Sequence, residues 1–158
     1  MPKIPIDAEK RISSEFKQRV LDLIDDSEFN KKQFAKEMGI SGEVVSRITI
    51  YGIIPSLKTL LKIADYYEIS LSYLLAETEE NDFIMSNNKI SFFDRFEMLL
   101  KENKLKYSEF VKSMPFTENF IYEWRREGTL PSLEYLTAIA DYFKVTRDYL
   151  LGRTDYRK

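Results

Sequence analysis

The chain has 158 residues, of which 44% are hydrophobic and 32% charged, with a formal net charge of −2; such a composition describes one or two globular domains. It contains neither cysteine nor histidine, which excludes disulfide frameworks and thiolate zinc sites and removes the commonest general base and metal ligand. No close acidic pair takes their place, so no catalytic residue, metal, cofactor or small-molecule substrate is expected.

Residues 1–13 read as an N-terminal arm. Their start, MPKIPIDAEK, lacks the apolar stretch of a secretory signal. The longest apolar run, ITIYGII (48–54), falls far short of the ~18–20 residues of a membrane span. A cytoplasmic protein without a membrane partner is expected. After the arm, Phe16, Val20, Leu23 and Ile24 share one helical face. A short helix over about 31–38 is opened by Asn30, and Ser41 is placed to cap a third. That third segment, VVSRITIYGII (44–54), is rich in β-branched residues and alone reads as a strand. Pro55-Ser56 opens a fourth helix carrying Leu57, Leu60, Leu61, Ile63 and Ala64, and Ser70 caps a fifth that ends in Leu74-Leu75.

The polar, acidic stretch ETEENDFIMSNNK follows, and residues 77–90 read as a linker. Its Phe83-Ile84-Met85 is out of character and suits docking on a neighbouring domain. Beyond it the pattern starts again. Sliding the chain by 76 positions places Phe16 on Phe92, Phe34 on Phe110, Gly52 on Gly128, Pro55-Ser56-Leu57 on Pro131-Ser132-Leu133 and Tyr73-Leu74-Leu75 on Tyr149-Leu150-Leu151, without a gap. A period this long describes a duplicated domain, not a solenoid. The second copy has Phe92, Phe96, Leu99 and Leu100 on one face, with Ser91 and Asp94 as a capping box. A helix over about 106–114 follows, then Thr117 as an N-cap, a fourth helix with Leu133, Leu136, Ile139 and Ala140, and a fifth capped by Thr146. Because the register ties VVSRITIYGII to the better helix former FIYEWRREGTL, both third segments are expected to be helical, the first of them poorly stable alone. Domains are expected at 14–76 and 91–154, with 155–158 as a tail.

In each copy, three residues, GIS (39–41) or PFT (115–117), join two short helices of which the second is capped by Ser or Thr. The stretches FVKSMPFTENFIYEW, PSLEYLTAIADYF and DYLLGRTD, with QFAKEMGIS, PSLKTLLKIADYY and SYLL in the first copy, resemble the lambda-repressor-like (Xre/Cro-type) helix-turn-helix family. The resemblance implies an all-α fold of two tandem five-helix domains. It also implies a sequence-specific, double-stranded DNA-binding transcriptional regulator whose third helices enter the major groove. Phe34, Ala35, Val45 and Ile48, with Phe110, Val111, Ile121 and Trp124, then hold the helix pairs together. Base-facing positions are Gly42, Glu43, Ser46 and Arg47 in the first copy and Glu118, Asn119, Tyr122 and Glu123 in the second. Arg47 suits a guanine edge and Asn119 an adenine. Phosphate contacts are expected from Lys31, Lys32 and Ser41, and from Lys106, Tyr107, Ser108, Thr117, Arg125 and Arg126.

Local charge is uneven. Across 30–51, Lys31, Lys32, Lys36 and Arg47 outnumber Glu37 and Glu43, whereas across 104–130 five basic residues barely exceed four acidic ones. Modest DNA affinity follows, and Glu118, Glu123 and Glu127 direct any loss of DNA binding to the second copy. A 14-residue linker reaches roughly 46–50 Å, enough for half-sites about 34 Å apart. Two other readings stay open: a protein-binding adaptor or antirepressor on the same fold, and a division of labour. In the latter, one copy reads DNA and the other forms a homodimer through Tyr66, Tyr73, Tyr142 and Tyr149.

Overall fold

The computed structural model describes residues 11–158; most of the expected N-terminal arm lies outside the described residues. The chain divides into two compact units, the first ending at Asp82 and the second beginning at Phe83. Among the described residues every regular element is helical, apart from one isolated antiparallel bridge between Ile12 and Ile53. The fold is all-α, as the sequence pattern requires.

The first unit runs α1 (Ser14–Asp26), α2 (Lys31–Met38), α3 (Gly42–Ser46), α4 (Leu57–Tyr67) and α5 (Leu71–Leu74). Hydroxyl and amide caps start all five: Ser13, Asn30, Ser41, Ser56 and Ser70 each accept a backbone N–H two or three residues into the helix. Asn30 and Gln33 complete a capping box, with reciprocal bonds of 2.8 and 2.9 Å. Phe16, Val20, Phe34, Ile48, Leu60, Ile63, Leu71 and Leu74 are wholly enclosed. The β-branched third segment is helical, and it shows its strain in two ways. After Ser46 the helix widens into a π-helical turn, Arg47–Tyr51, and the buried Thr49 hydroxyl bonds back to the Val45 carbonyl at 2.9 Å. Strand character surfaces only past Gly52, where Ile53 pairs with Ile12. Gly52 is needed there: its φ is +72°, and a Cβ would lie 2.6 Å from the Ser13 carbonyl oxygen.

The second unit runs α6 (Phe92–Glu102), α7 (Tyr107–Phe110), α8 (Glu118–Glu127), α9 (Leu133–Phe143) and α10 (Arg147–Leu150). Its last two helices begin and end 76 residues after α4 and α5. The expected helix over 106–114 is shorter than that. α7 gives way to a 3₁₀ turn at Val111–Ser113, and Met114 is extended (φ −112°, ψ 153°). Pro115 is the cause. It occupies the position of Gly39, which closes α2 with φ +68°. Proline is confined near φ −65° and pushes the residue before it out of helix. Here α8 is an uninterrupted ten-residue helix, with an aromatic core beneath it: Trp124 lies 5.6 Å from Phe92 and 5.2 Å from Phe116, and Phe96 lies 5.3 Å from Phe110. Val111, expected in that core, is only half-buried.

The stretch read as a linker is held by hydrogen bonds on each side of the unit boundary. Asn81 accepts from the Ser70 N–H at 3.1 Å, and Arg19 donates to the Thr78 carbonyl. In the second unit, Thr154 donates to the Ile84 carbonyl at 2.7 Å, and the Phe83 ring lies under the Arg153 guanidinium at 4.6 Å. A freely extended 14-residue reach therefore does not describe this segment. Residues 155–158, read as a tail, are exposed, but Arg157 makes a two-pronged pair with Glu102 at 2.8 and 3.1 Å. Two of the four tyrosines considered for a dimer surface are occupied internally, Tyr73 under the Arg19 guanidinium at 3.8 Å and Tyr149 under Arg95 at 3.9 Å. Tyr66 and Tyr142 are exposed.

Candidate nucleic-acid interface

In the first unit, α2 ends at Gly39, Ile40 tucks back half-buried, and Ser41 opens α3 by accepting the Val44 N–H at 3.2 Å. This turn leaves Ser41, Gly42 and Glu43 exposed, with Ser46 and Arg47 half-exposed behind them. Gly42 has open space where a Cβ would stand, so its backbone can approach a ligand closely. Lys31 and Lys32 are exposed at the start of α2, where the first N–H groups have no intrahelical acceptor and the helix dipole favours an anion.

Arg47 does not project freely. Its Nη2 donates to Glu43 Oε1 at 2.6 Å, one turn earlier, and its Nε is enclosed without an acceptor. The side chain lies along a pocket of about 220 Å³ shared with Arg11, Ile53, Pro55, Ser56 and Thr59. An i,i+4 ion pair on a helix surface is worth only about 0.3–0.5 kcal/mol, so Glu43 holds the Arg47 guanidinium weakly. Two lysines that sequence reasoning missed hold this arrangement. Lys62 Nζ donates to the Gly39 carbonyl at 3.0 Å, and Lys17 Nζ to the Ile50 carbonyl at 3.1 Å. Both bonds join residues more than twenty positions apart, where helical periodicity carries no signal.

The second unit presents other chemistry at the equivalent positions. Tyr107 Oη donates to a Glu97 carboxylate oxygen, and Tyr122 Oη donates to Glu118 Oε2 at 2.5 Å. The two rings meet edge to face at 5.8 Å. Burial, then the Glu97 bond, pushes the Tyr107 phenol up to about 12, and the Glu118 bond raises Tyr122. Both phenols are thus committed as donors to carboxylates. Asn119 and Glu123 are exposed, as are Lys106, Ser108 and Thr117; the Thr117 side chain makes no cap bond. Arg125 and Arg126 are exposed in the last turn of α8, where a cation also complements the helix dipole. Among the described residues no group of three or more acidic side chains is placed to hold a metal ion, and no helix is long and apolar enough to cross a membrane.

A helix-turn-helix family model matches residues 27–74, the stretch that contains α2 to α5 of the first unit. No curated protein and no solved structure matches the chain.

Proposed function

We propose that this chain is a DNA-binding transcription regulator that reads double-stranded DNA through α2, the 39–41 turn and α3 of its first unit. The observation that carries the reading is the coincidence of three features in one segment. Residues 27–74 match the helix-turn-helix family, a three-residue turn sets a Ser41-capped helix after α2, and the charged side chains exposed there are three lysines, Lys31, Lys32 and Lys36, against Glu37 and Glu43. In this reading Lys31, Lys32 and the first turn of α2 take phosphates and set the register, while Ser41 donates its hydroxyl proton to a third. Gly42 lets the start of α3 sink against the groove floor. Arg47 leaves Glu43 for guanine O6 and N7, and the freed Glu43 accepts from a cytosine amino group.

The second unit is assigned a different part, because its α8 brings Glu118 and Glu123 to the positions of Gly42 and Arg47, where they repel phosphate. Selection of bound duplexes from a random pool by the full-length chain tests the assignment. An enriched motif containing guanine is expected. R47A should lose about 1–3 kcal/mol of discrimination at that base while still binding DNA. No enrichment, or a motif that R47A leaves unchanged, contradicts it.

A further inference from the structure

We infer that the exposed side of α8, with the groove beside it between α6 and α7, docks a protein partner through a segment that combines Lys or Arg with apolar side chains. This goes beyond DNA reading by the first unit and does not depend on it. Three large apolar side chains of this unit stand open to solvent around α8: Phe120 at 36%, Tyr122 at 44% and Leu130 at 41%. Phe120 is fixed from below, with ring centroids 5.2 Å from Tyr135 and 6.3 Å from Phe116. A rigid aromatic with one open face is the kind of anchor on which interfaces concentrate their energy. On the opposite flank of α8, where Tyr122 meets Tyr107, runs an open groove of about 660 Å³, lined by Asp94, Glu97, Met98, Leu105, Lys106 and Tyr107 among others. It is apolar at Met98 and Leu105, and it carries the carboxylates of Asp94 and Glu97 along with the ammonium groups of Lys101 and Lys106.

Charge decides the occupant. Glu97, Tyr107, Tyr122 and Glu118 form a continuous row across α6, α7 and α8, linked by two phenol–carboxylate bonds and one ring contact. Each carboxylate keeps a second oxygen. Neither forms an ion pair with Lys or Arg among the described residues. Arg125 is near enough for its charge to lower both phenol pKa values as a lesser effect. A nucleic-acid backbone brought here meets Glu97, Glu118 and Glu123. A guanidinium or ammonium instead meets carboxylate oxygens beside two aromatic rings, where charge-assisted hydrogen bonds and cation–π attraction add. The neighbouring apolar residue of the same segment then covers Met98 and Leu105 in the groove.

A displayed library of random 12-residue peptides, selected on the full-length chain, tests this. The expected enrichment is Arg or Lys next to Leu or an aromatic. A synthetic peptide of that pattern should bind saturably, read by the fluorescence of Trp124, the only tryptophan. Its affinity should fall about tenfold or more for E97Q/E118Q and rise for R125Q, which removes a competing cation. E134Q/D141N, which neutralises two exposed acids of α9, should leave it unchanged, and far-UV circular dichroism checks that each variant folds. Duplex DNA binding should survive E97Q/E118Q, which separates this test from that of the first unit. The inference is overturned by no enrichment, by enriched peptides without basic residues, or by equal losses for E97Q/E118Q and E134Q/D141N. A duplex that displaces the peptide and is itself lost on R125Q also overturns it, and gives the face to DNA.

Discussion

Set the two third helices side by side, 76 residues apart. Gly42 corresponds to Glu118, Ser46 to Tyr122, Arg47 to Glu123 and, on the preceding helix, Lys31 to Tyr107. Beneath them the enclosed positions keep their apolar character: Val45 and Ile121, Ile48 and Trp124, Phe34 and Phe110 are all buried. Fold and surface therefore vary separately. Packing constrains the inward third of each helix, because a polar or missized side chain there costs several kcal/mol. The outward positions are free to turn from small and basic to aromatic and acidic. A repeated scaffold thus does not imply a repeated ligand.

The scaffold comparison breaks most sharply at the two glycines that end the third helices. Gly52 and Gly128 share a left-handed conformation, φ +72° and +67°, yet a Cβ on Gly52 meets the Ser13 carbonyl while one on Gly128 meets nothing within 4 Å. G128A should cost about 1 kcal/mol, the conformational penalty alone. G52A should cost about 2 kcal/mol or more and also loosen the Ser13 N–H to Gly52 carbonyl bond of 2.9 Å. Amide hydrogen exchange resolved by unit checks both, and equal losses would contradict the close approach.

A smaller difference lies at the paired arginines. Arg19 donates to the Tyr73 and Thr78 carbonyls, whereas Nε and Nη1 of Arg95 are buried with no acceptor. Both guanidiniums lie over a tyrosine ring, so stacking is common to them and hydrogen bonding is not. R19M should destabilise the first unit by about 1–2 kcal/mol, while R95M should be neutral or stabilising for the second, since a buried cation with two N–H groups lacking acceptors is replaced by an apolar side chain of similar length. Urea denaturation of the two variants reads the contrast.

Much of this architecture is legible in the chain. Pro-Ser before Leu57 and Leu133, Ser70 and Thr146 as caps, and the 3.6-residue apolar spacing fix α4, α5, α9 and α10, because each signal is local. The truncation of α7 is equally local in origin, since Pro115 cannot take the conformation of Gly39, although the ungapped register carries the helix pattern of α2 across it. The π-helical turn escaped because β-branched crowding says that a helix is strained without saying how it relaxes. At the candidate site, exposed positions follow from helical spacing alone. The Arg47–Glu43 pair is an i,i+4 contact and readable in principle. The Lys62 and Lys17 clamps and the bond from Tyr107 to Glu97 join different helices, and only the packed structure brings them together.

The most direct measurement is the salt dependence of duplex DNA binding by the full-length chain, compared among the parent, K31Q/K32Q and R125Q/R126Q. With DNA held by the first unit, K31Q/K32Q should reduce the slope of log K against log salt by about 2, one per lost phosphate contact, and R125Q/R126Q should leave it unchanged. A flat response in the parent, or a slope that falls with R125Q/R126Q and not with K31Q/K32Q, would contradict the assignment.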